Sequence, residues 1–465
     1  MLAKETLKKV LDAALSTGGD FAEIFVEDRL EKTLSYDYVE SKSRAIYITN
    51  GGQYYGVGIR ICKDFKSIYA YTTDDTLESL LSIAKKAAVA LNKFEASQSL
   101  NFNLIETIPT NVHPILKVSH DLDLHYKISK LHKAYKAAQE YSSEIVSAMV
   151  KLGESDQKVQ IANSNGLLVC DRRIQTEITV YSTAENGSDK QYGSNSIRSS
   201  AGFELIENSD LTQLGRHASE NAITLLHADY CKAGKMPVVI ASGMGTIFHE
   251  ACGHPLEADS IAKGNSVFCG KLGEKIANEK ITLIDDGTIP NAWGSTNIDD
   301  EGQPTQRNVL IEKGVLKSYL IDTWNAKQMN MASTGSGRRG SYHYAPTSRM
   351  TNTYVMAGED EDDEIIKSVE HGLYVKNIRG GSVNSLTGAF NFAVSLGYMI
   401  RDGEISESVK GASLIGMASK VLMDVDMVGK NLVFANRICS SISGSIPVTV
   451  GQPIIRIKEL TVGGR

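Results

Sequence analysis

The sequence predicts an α+β protein in two parts: a mixed helix and sheet N-terminal domain, then a strand-rich C-terminal domain. Three observations carry this. In the first half, runs with apolar residues at helical spacing alternate with short stretches of period-two patterning. The second half is richer in short apolar segments bounded by glycine turns. At 465 residues the chain exceeds what one ordinary core supports, so two domains are expected. The boundary falls between residues 190 and 235, and we set the domains at 1–210 and 211–465. No long proline- or serine-rich linker separates them, so the halves are expected to pack together.

The opening helix places Leu7, Val10, Leu11, Ala14 and Leu15 on one face and stops at Gly18. Ala22, Ile24 and Val26 alternate as in a strand, and so do Val57, Ile59 and Ile61. A second helix begins near Asp74 or Asp75, with Leu77, Leu80, Leu81, Ala84, Ala88 and Leu91 on one side. A third, over residues 119 to 141, aligns Leu124, Ile128, Leu131 and Tyr135. Asn165-Gly166 reads as the turn of a hairpin joining residues 159–161 to 167–169. These faces are expected to pack on a sheet rather than bind a ligand. A helix over 211 to 230 leads into the second half. Strands are expected there at 236–241, 282–284, 309–311, 315–321, 373–375 and 448–457. The acidic run 359–364 reads as a solvated helix start favoured by the helix dipole, not as a metal site.

Composition excludes several classes. The 42% apolar and 22% charged shares are ordinary for a globular protein. A net charge of −6 without a lysine/arginine run gives no nucleic-acid footprint. No stretch approaches the ~18 consecutive apolar residues of a membrane span. The first residues carry charges through any would-be apolar region, so no signal peptide is expected. Six cysteines without paired spacing fit reduced thiols and a cytoplasmic protein better than a disulfide framework.

The chemistry concentrates in His249-Glu250-Ala251-Cys252-Gly253-His254, which follows an apolar strand and the turn Ser242 to Gly245. Neutral imidazoles ligate zinc, and an adjacent carboxylate can take a proton from water activated there. The usual H-E-x-x-H spacing puts both histidines on one helical face. Here they are five apart, about 140° around a regular helix, which is too far to share an ion. Gly253 and Pro255 flank His254 and predict a kink or a wide π-type turn that swings it back. The bland reading is a pair of polar residues at a helix start, with Glu250 favoured by the dipole. A catalytic zinc usually has a third protein ligand and one open position. Spacing leaves Cys252, Glu257, Asp259, Cys269 and Cys439 all open for that role.

Beyond this motif, the chain resembles the TldD/PmbA family of bacterial and archaeal metalloproteases, in its catalytic TldD branch. The matching residues are HEACGHPLEAD (His249 to Asp259), KGNSVFCGKLGEKIA (Lys263 to Ala277) and GRRGSYHYAPTSRMTNTYV (Gly337 to Val355). GGSVNSLTGAFNFAVSLGYMIRDGEI (Gly380 to Ile405) and SIPVTVGQP (Ser445 to Pro453) complete the match. The resemblance implies zinc held by His249, His254 and Cys439, with Glu250 as the general base. Cys252 is then a small apolar residue packed inside the helix. An oxyanion stabiliser is not evident from sequence; Arg338, Arg339, Tyr342, His343 and Tyr344 are candidates, most of them expected as surface-loop residues. The resemblance further implies unfolded peptide substrates, bound as an added strand in a cavity enclosed by a dimer. The partner would be a PmbA-like (TldE) chain or a second copy. The alternative is a non-catalytic peptide-binding or regulatory subunit of the gyrase-modulator type.

Overall fold

In the computed structural model, which describes residues 1–39, 44–64, 66–91 and 102–465, two sheet systems face each other. The first is a seven-stranded sheet. It comprises β1 (Phe21–Val39), β2 (Arg44–Lys63), β3 (Lys66–Thr72), β4 (Ile105–Thr107), β5 (Ile145–Asn163), β6 (Leu167–Asn186) and β7 (Asp189–Ser199). Their order is β3-β2-β1-β5-β6-β4, with β7 also paired to β6.

Helices α1 (Lys4–Ala14) and α2 (Leu77–Leu91) cover one end of this sheet. Leu7, Val10 and Leu11 of α1 and Leu80, Ala84 and Ala88 of α2 are fully buried against Ile24, Val26, Val57, Ile59 and Ile61. Each large aliphatic side chain so buried contributes about 1.5–3 kcal/mol. Gly18, at φ +85°, ends the first helix as expected. Helix α3 (Leu124–Gln139) starts later than the periodicity suggests, because Asp123 caps it by accepting from the Tyr126 N–H. Leu131 and Tyr135 are buried under it, whereas Leu124 is exposed. The Asn165-Gly166 turn forms, with Gly166 at φ +93° between β5 and β6.

The strands β1, β5 and β6 run 19, 19 and 20 residues, far beyond their apolar stretches. Beyond Val26, β1 continues through Glu27, Asp28, Arg29, Glu31 and Lys32, held by ladders on both sides to β2 and β5. Pairing on two edges keeps that polar segment extended where side-chain pattern gives no signal.

The helix Leu211–His227 ends three residues before the expected Tyr230 and packs against α3, β6 and β7. It therefore lies with the first sheet, although the 210/211 division assigns it to the second half.

That second half holds a two-stranded sheet, Gly337–Arg338 with Thr347–Ser348, and two larger ones. One has six strands, ordered Val315–Leu316, Arg307–Glu312, Leu283–Asp286, Asn352–Val355, Gly444–Gln452 and Val433–Ser441. In the other, His371–Val383, Gly234–Ile240, Ile455–Gly463, Ala412–Met417 and Ala389–Arg401 pair in a ring that closes on itself. The expected strand 448–457 is two strands in different sheets, split at Pro453, which has no N–H for a ladder. The run 315–321 is strand only over Val315–Leu316. The acidic run does start a helix, Asp362–Lys367. Among the described residues, no helix is long and apolar enough to cross a membrane.

The halves meet through Phe25, Val159, Ile161 and Val169 of the first sheet against Ile298 and Tyr342 of the second half. Beside this patch runs a buried chain of charges. Glu23 accepts from Arg60 at 2.8 Å and from Arg339 at 2.5 Å, and Arg60 also meets Glu301 at 2.5 Å. Arg173 meets Asp300 at 2.5 Å.

Candidate metal centre

The strand Gly234–Ile240 delivers the chain into a turn where Gly243 adopts φ +78°, a conformation that favours glycine. One α turn, Thr246–Phe248, follows; it widens into a π turn over His249–Gly253 and tightens into a 3-10 turn at His254–Leu256. The distortion expected from Gly253 and Pro255 is present. A Cβ on Gly253 would lie 1.9 Å from the Met350 sulfur, so a side chain there would require Met350 to move.

The wider turn brings the two imidazoles, five residues apart, to ring centroids 6.2 Å from each other at 73°. His254 Nε2 lies 3.2 Å from the Cys439 Sγ and 3.2 Å from a Glu250 carboxylate oxygen. His249 Nε2 is 4.0 Å from the other Glu250 oxygen. His249, Glu250 and Cys439 each present a donor atom within 4.8 Å of one another. The fold thus gathers all four residues named from the sequence, although Cys439 comes from a strand 185 positions away from His254.

The outer contacts of each ring fix its tautomer. Thr353 Oγ1 donates to Asp285 at 2.9 Å, so its lone pair faces the Nδ1–H of His249 at 3.1 Å. Glu257 accepts from Nδ1–H of His254 at 2.8 Å. Both rings therefore turn Nε2 inward, the nitrogen that a metal-bound histidine offers to its ion. The His249 Nε2 is buried and has no hydrogen-bond partner. Such an orphaned acceptor beside a second imidazole and a thiol fits a metal ion bound by nitrogen and sulfur.

Electrostatics agree. Burial pushes the Cys439 thiol up, but the two imidazoles outweigh it and bring its pKa down to about 6. Burial also disfavours the Glu250 carboxylate, yet His254 and the neighbouring positive charges hold it below the ordinary range. For His254, burial opposes protonation and the Glu257 charge wins, so its pKa rises well above 6.5. Glu250 keeps 21% of its side chain exposed, whereas His249 and Cys439 are at 1%. Arg349, wholly buried, ties the layers together. It donates to the Cys439 carbonyl at 2.8 Å and to the Gly444 carbonyl and Ser443 hydroxyl at 2.9 Å, and its Nε stands 3.7 Å from Glu257.

The other candidates separate. Cys252 packs into the core, where burial pushes its thiol far up and leaves it neutral. Glu257 serves from the outer layer, and Asp259 beside it is raised to about 7, by burial first and by Glu257 second. The Cys269 thiol faces the Ile261 carbonyl. Arg338 and Arg339 are not surface-loop residues. Arg338 is buried and donates to the carbonyls of Met350 and Pro447, while Arg339 reaches Glu23 and the Asp300 carbonyl. Tyr342 is buried at the junction of the halves; His343 and Tyr344 are exposed. Thr353, Asp285 and Arg349 escaped the sequence reading because they come from other segments of the chain and share no spacing with the histidines.

Models of three consecutive domains match this chain: PmbA/TldA metallopeptidase domain 1 over residues 22–91, the central domain over 117–226 and the C-terminal domain over 233–464. A "Metalloprotease TldD homolog" from Buchnera aphidicola subsp. Acyrthosiphon pisum is 36% identical over 88% of this chain and 86% of its own. Another of the same name from Haemophilus influenzae is 33% identical over 100% and 97%. Two crystal structures share the fold. A putative modulator of a DNA gyrase from Thermotoga maritima has TM-score 0.76 at 22% identity over 99% of each chain. TldE from Thermococcus kodakarensis has TM-score 0.74 at 22% identity over 99% and 100%. With the three domain models in order, relatives above 30% identity along the chain and a donor cluster suited to a metal, this chain belongs to the TldD/PmbA family of metalloproteases.

Proposed function

We propose that His249, His254 and Cys439 hold a zinc ion and that Glu250 is the general base for hydrolysis of peptide bonds in unfolded chains. The observation that carries this reading is the pair of inward Nε2 atoms, each set by its own outer partner, beside a thiol whose pKa is brought down to about 6. Two imidazoles and a thiolate suit zinc. When bound, the ion polarises the scissile carbonyl and brings the pKa of the attacking water near 7. Glu250, which among the described residues has no outer hydrogen-bond partner of the kind that fixes each ring, is the group free to move a proton. It takes one from the water and returns it to the leaving amine. The Thr353–Asp285 pair and Glu257 keep the two rings from turning away.

An extended peptide has a ready place. Val433–Ser441 is an edge strand of the six-stranded sheet, carries Cys439, and exposes Phe434 and Ile438, with Ile442 exposed in the turn that follows. Such an edge recruits an extended chain as an added strand and discriminates weakly among sequences. A folded protein offers no free strand. The likeness to TldE supports a TldE-type chain, or a second copy, as the partner that encloses the site. Six free cysteines suit a reducing compartment such as the cytoplasm.

The test is metal analysis together with peptide cleavage by Glu250→Gln. About one zinc per chain is expected in both proteins, with cleavage reduced by about 10²–10⁴-fold in the variant. Undiminished cleavage removes Glu250 from the mechanism. Metal-free wild-type protein that binds peptide without cutting it favours a non-catalytic subunit.

A further inference from the structure

Along the edge strand, alternate residues face one side, so Arg437 and Cys439 point the same way, about 7 Å apart. Their contacts agree. The Cys439 sulfur meets His254, and Arg437 Nη2 lies 3.6 Å from the Met244 sulfur, in the turn that opens into the metal helix. Arg437 is half-buried and has no carboxylate partner among the described residues. A guanidinium carries five donors. Among the described residues, those of Arg437 meet the carbonyl of the adjacent Asn436 at 2.9 Å and that thioether.

A second guanidinium converges here. Arg198 of β7 donates to the same Asn436 carbonyl at 3.4 Å while pairing with Glu177 at 2.6 Å. The edge closes at this point as well: Asn436 donates to the Arg198 carbonyl at 2.6 Å and Trp293 Nε1 to the Arg437 carbonyl at 3.1 Å. The open part of the strand is thus Ile438–Ser441, and it runs into a cationic end one residue pair from the metal ligand.

We propose that Arg437 is a specificity-determining residue that receives a carboxylate of the bound peptide about two residues from the bond being cut. This rests on the reading above, in which the peptide lies along the edge strand that carries Cys439. The carboxylate has two sources: an aspartate or glutamate side chain within a longer chain, or the free C-terminus of a short one.

The experiment measures binding of peptides to metal-loaded Glu250→Gln protein, and kcat/KM with the intact base. In one arm, C-terminally amidated peptides carry Asp, Asn or Lys at each position near the cleaved bond. In the other, one neutral sequence ends in a carboxylate or an amide. One arm or both should show a preference of about 10-fold or more for the anion, the factor a partly desolvated hydrogen bond to a charged group supplies. Arg437→Gln should level that ratio, and Arg437→Glu should invert it in favour of Lys. Metal content and melting temperature check that each variant is folded; if one is not, Arg437→Lys, which keeps the charge, should retain a reduced preference. A wild-type ratio near one in both arms, or a preference that survives Arg437→Gln, overturns the proposal. Either result leaves the Glu250 assignment standing, because cleavage of neutral peptides and its loss in Glu250→Gln are read separately.

Discussion

The threonine at 353 shows how much of the site lies outside its ligands. Its hydroxyl, oriented by Asp285, decides which nitrogen of His249 carries the proton. Thr353→Val keeps the strand and the side-chain volume but removes that acceptor. Metal affinity should fall about 10–100-fold, as for other lost outer partners of metal-bound histidines, and zinc competition with a chelator measures it. Cys439→Ser should cost more, because a hydroxyl is a poor zinc ligand at neutral pH; full zinc occupancy in that variant would move the third ligand elsewhere. The thiol also predicts a pH dependence in metal-free protein. Its pKa is lowered from 9.0 to about 6, so its contribution to stability is complete above 9.0 and disappears as the pH falls to about 6. The stability gap between wild type and Cys439→Ser, read from chemical denaturation, should shrink across that window. Thiolate ultraviolet absorbance in the folded protein should show one cysteine titrating near 6, absent from Cys439→Ser.

The π turn joins sequence to site at the level of an element. Gly253 and Pro255 made it legible: one residue with no side chain and one with no N–H bracket His254, and regular helix cannot continue through them. The sequence stopped short of showing what holds the turn open. Met350 occupies the space beside Gly253. Gly253→Ala should therefore overpack the core by about 1–3 kcal/mol and reduce zinc content in the same protein; differential scanning calorimetry and metal analysis check the two together. An unchanged melting temperature would show that Met350 moves aside freely. Helices α1 and α2 were legible for a similar reason, since one apolar face meets one sheet. The long strands were not. Past Val26, β1 runs through a mostly polar stretch from Glu27 to Thr33 before Leu34 and Tyr36 return to the core, and it stays extended there because β2 and β5 pair with it. The split at Pro453 was visible as a proline, but the two sheets it separates become apparent only once their partners are known.

For the whole molecule, the buried charges between the halves matter most. Arg60 lies between Glu23 and Glu301, and both carboxylates are at 1% exposure. Arg60→Met should destabilise the protein by about 3–5 kcal/mol, because it leaves Glu301 buried without its cation and Glu23 with Arg339 alone. Adding Glu301→Gln should recover part of that loss; equal melting temperatures for the single and double variants would count against the pairing. The proposed metal site depends on comparable long-range order. Its histidines follow the strand Gly234–Ile240, which is held on one side by His371–Val383 and on the other by Ile455–Gly463, and its sulfur arrives on the hairpin of Val433–Ser441 with Gly444–Gln452. A ribosome that has released the His249 segment still has about two hundred codons to read before Cys439 can come back to meet it. On the proposed reading the growing chain has no blade during that interval, and neighbouring nascent polypeptides, all unfolded, are safe from it.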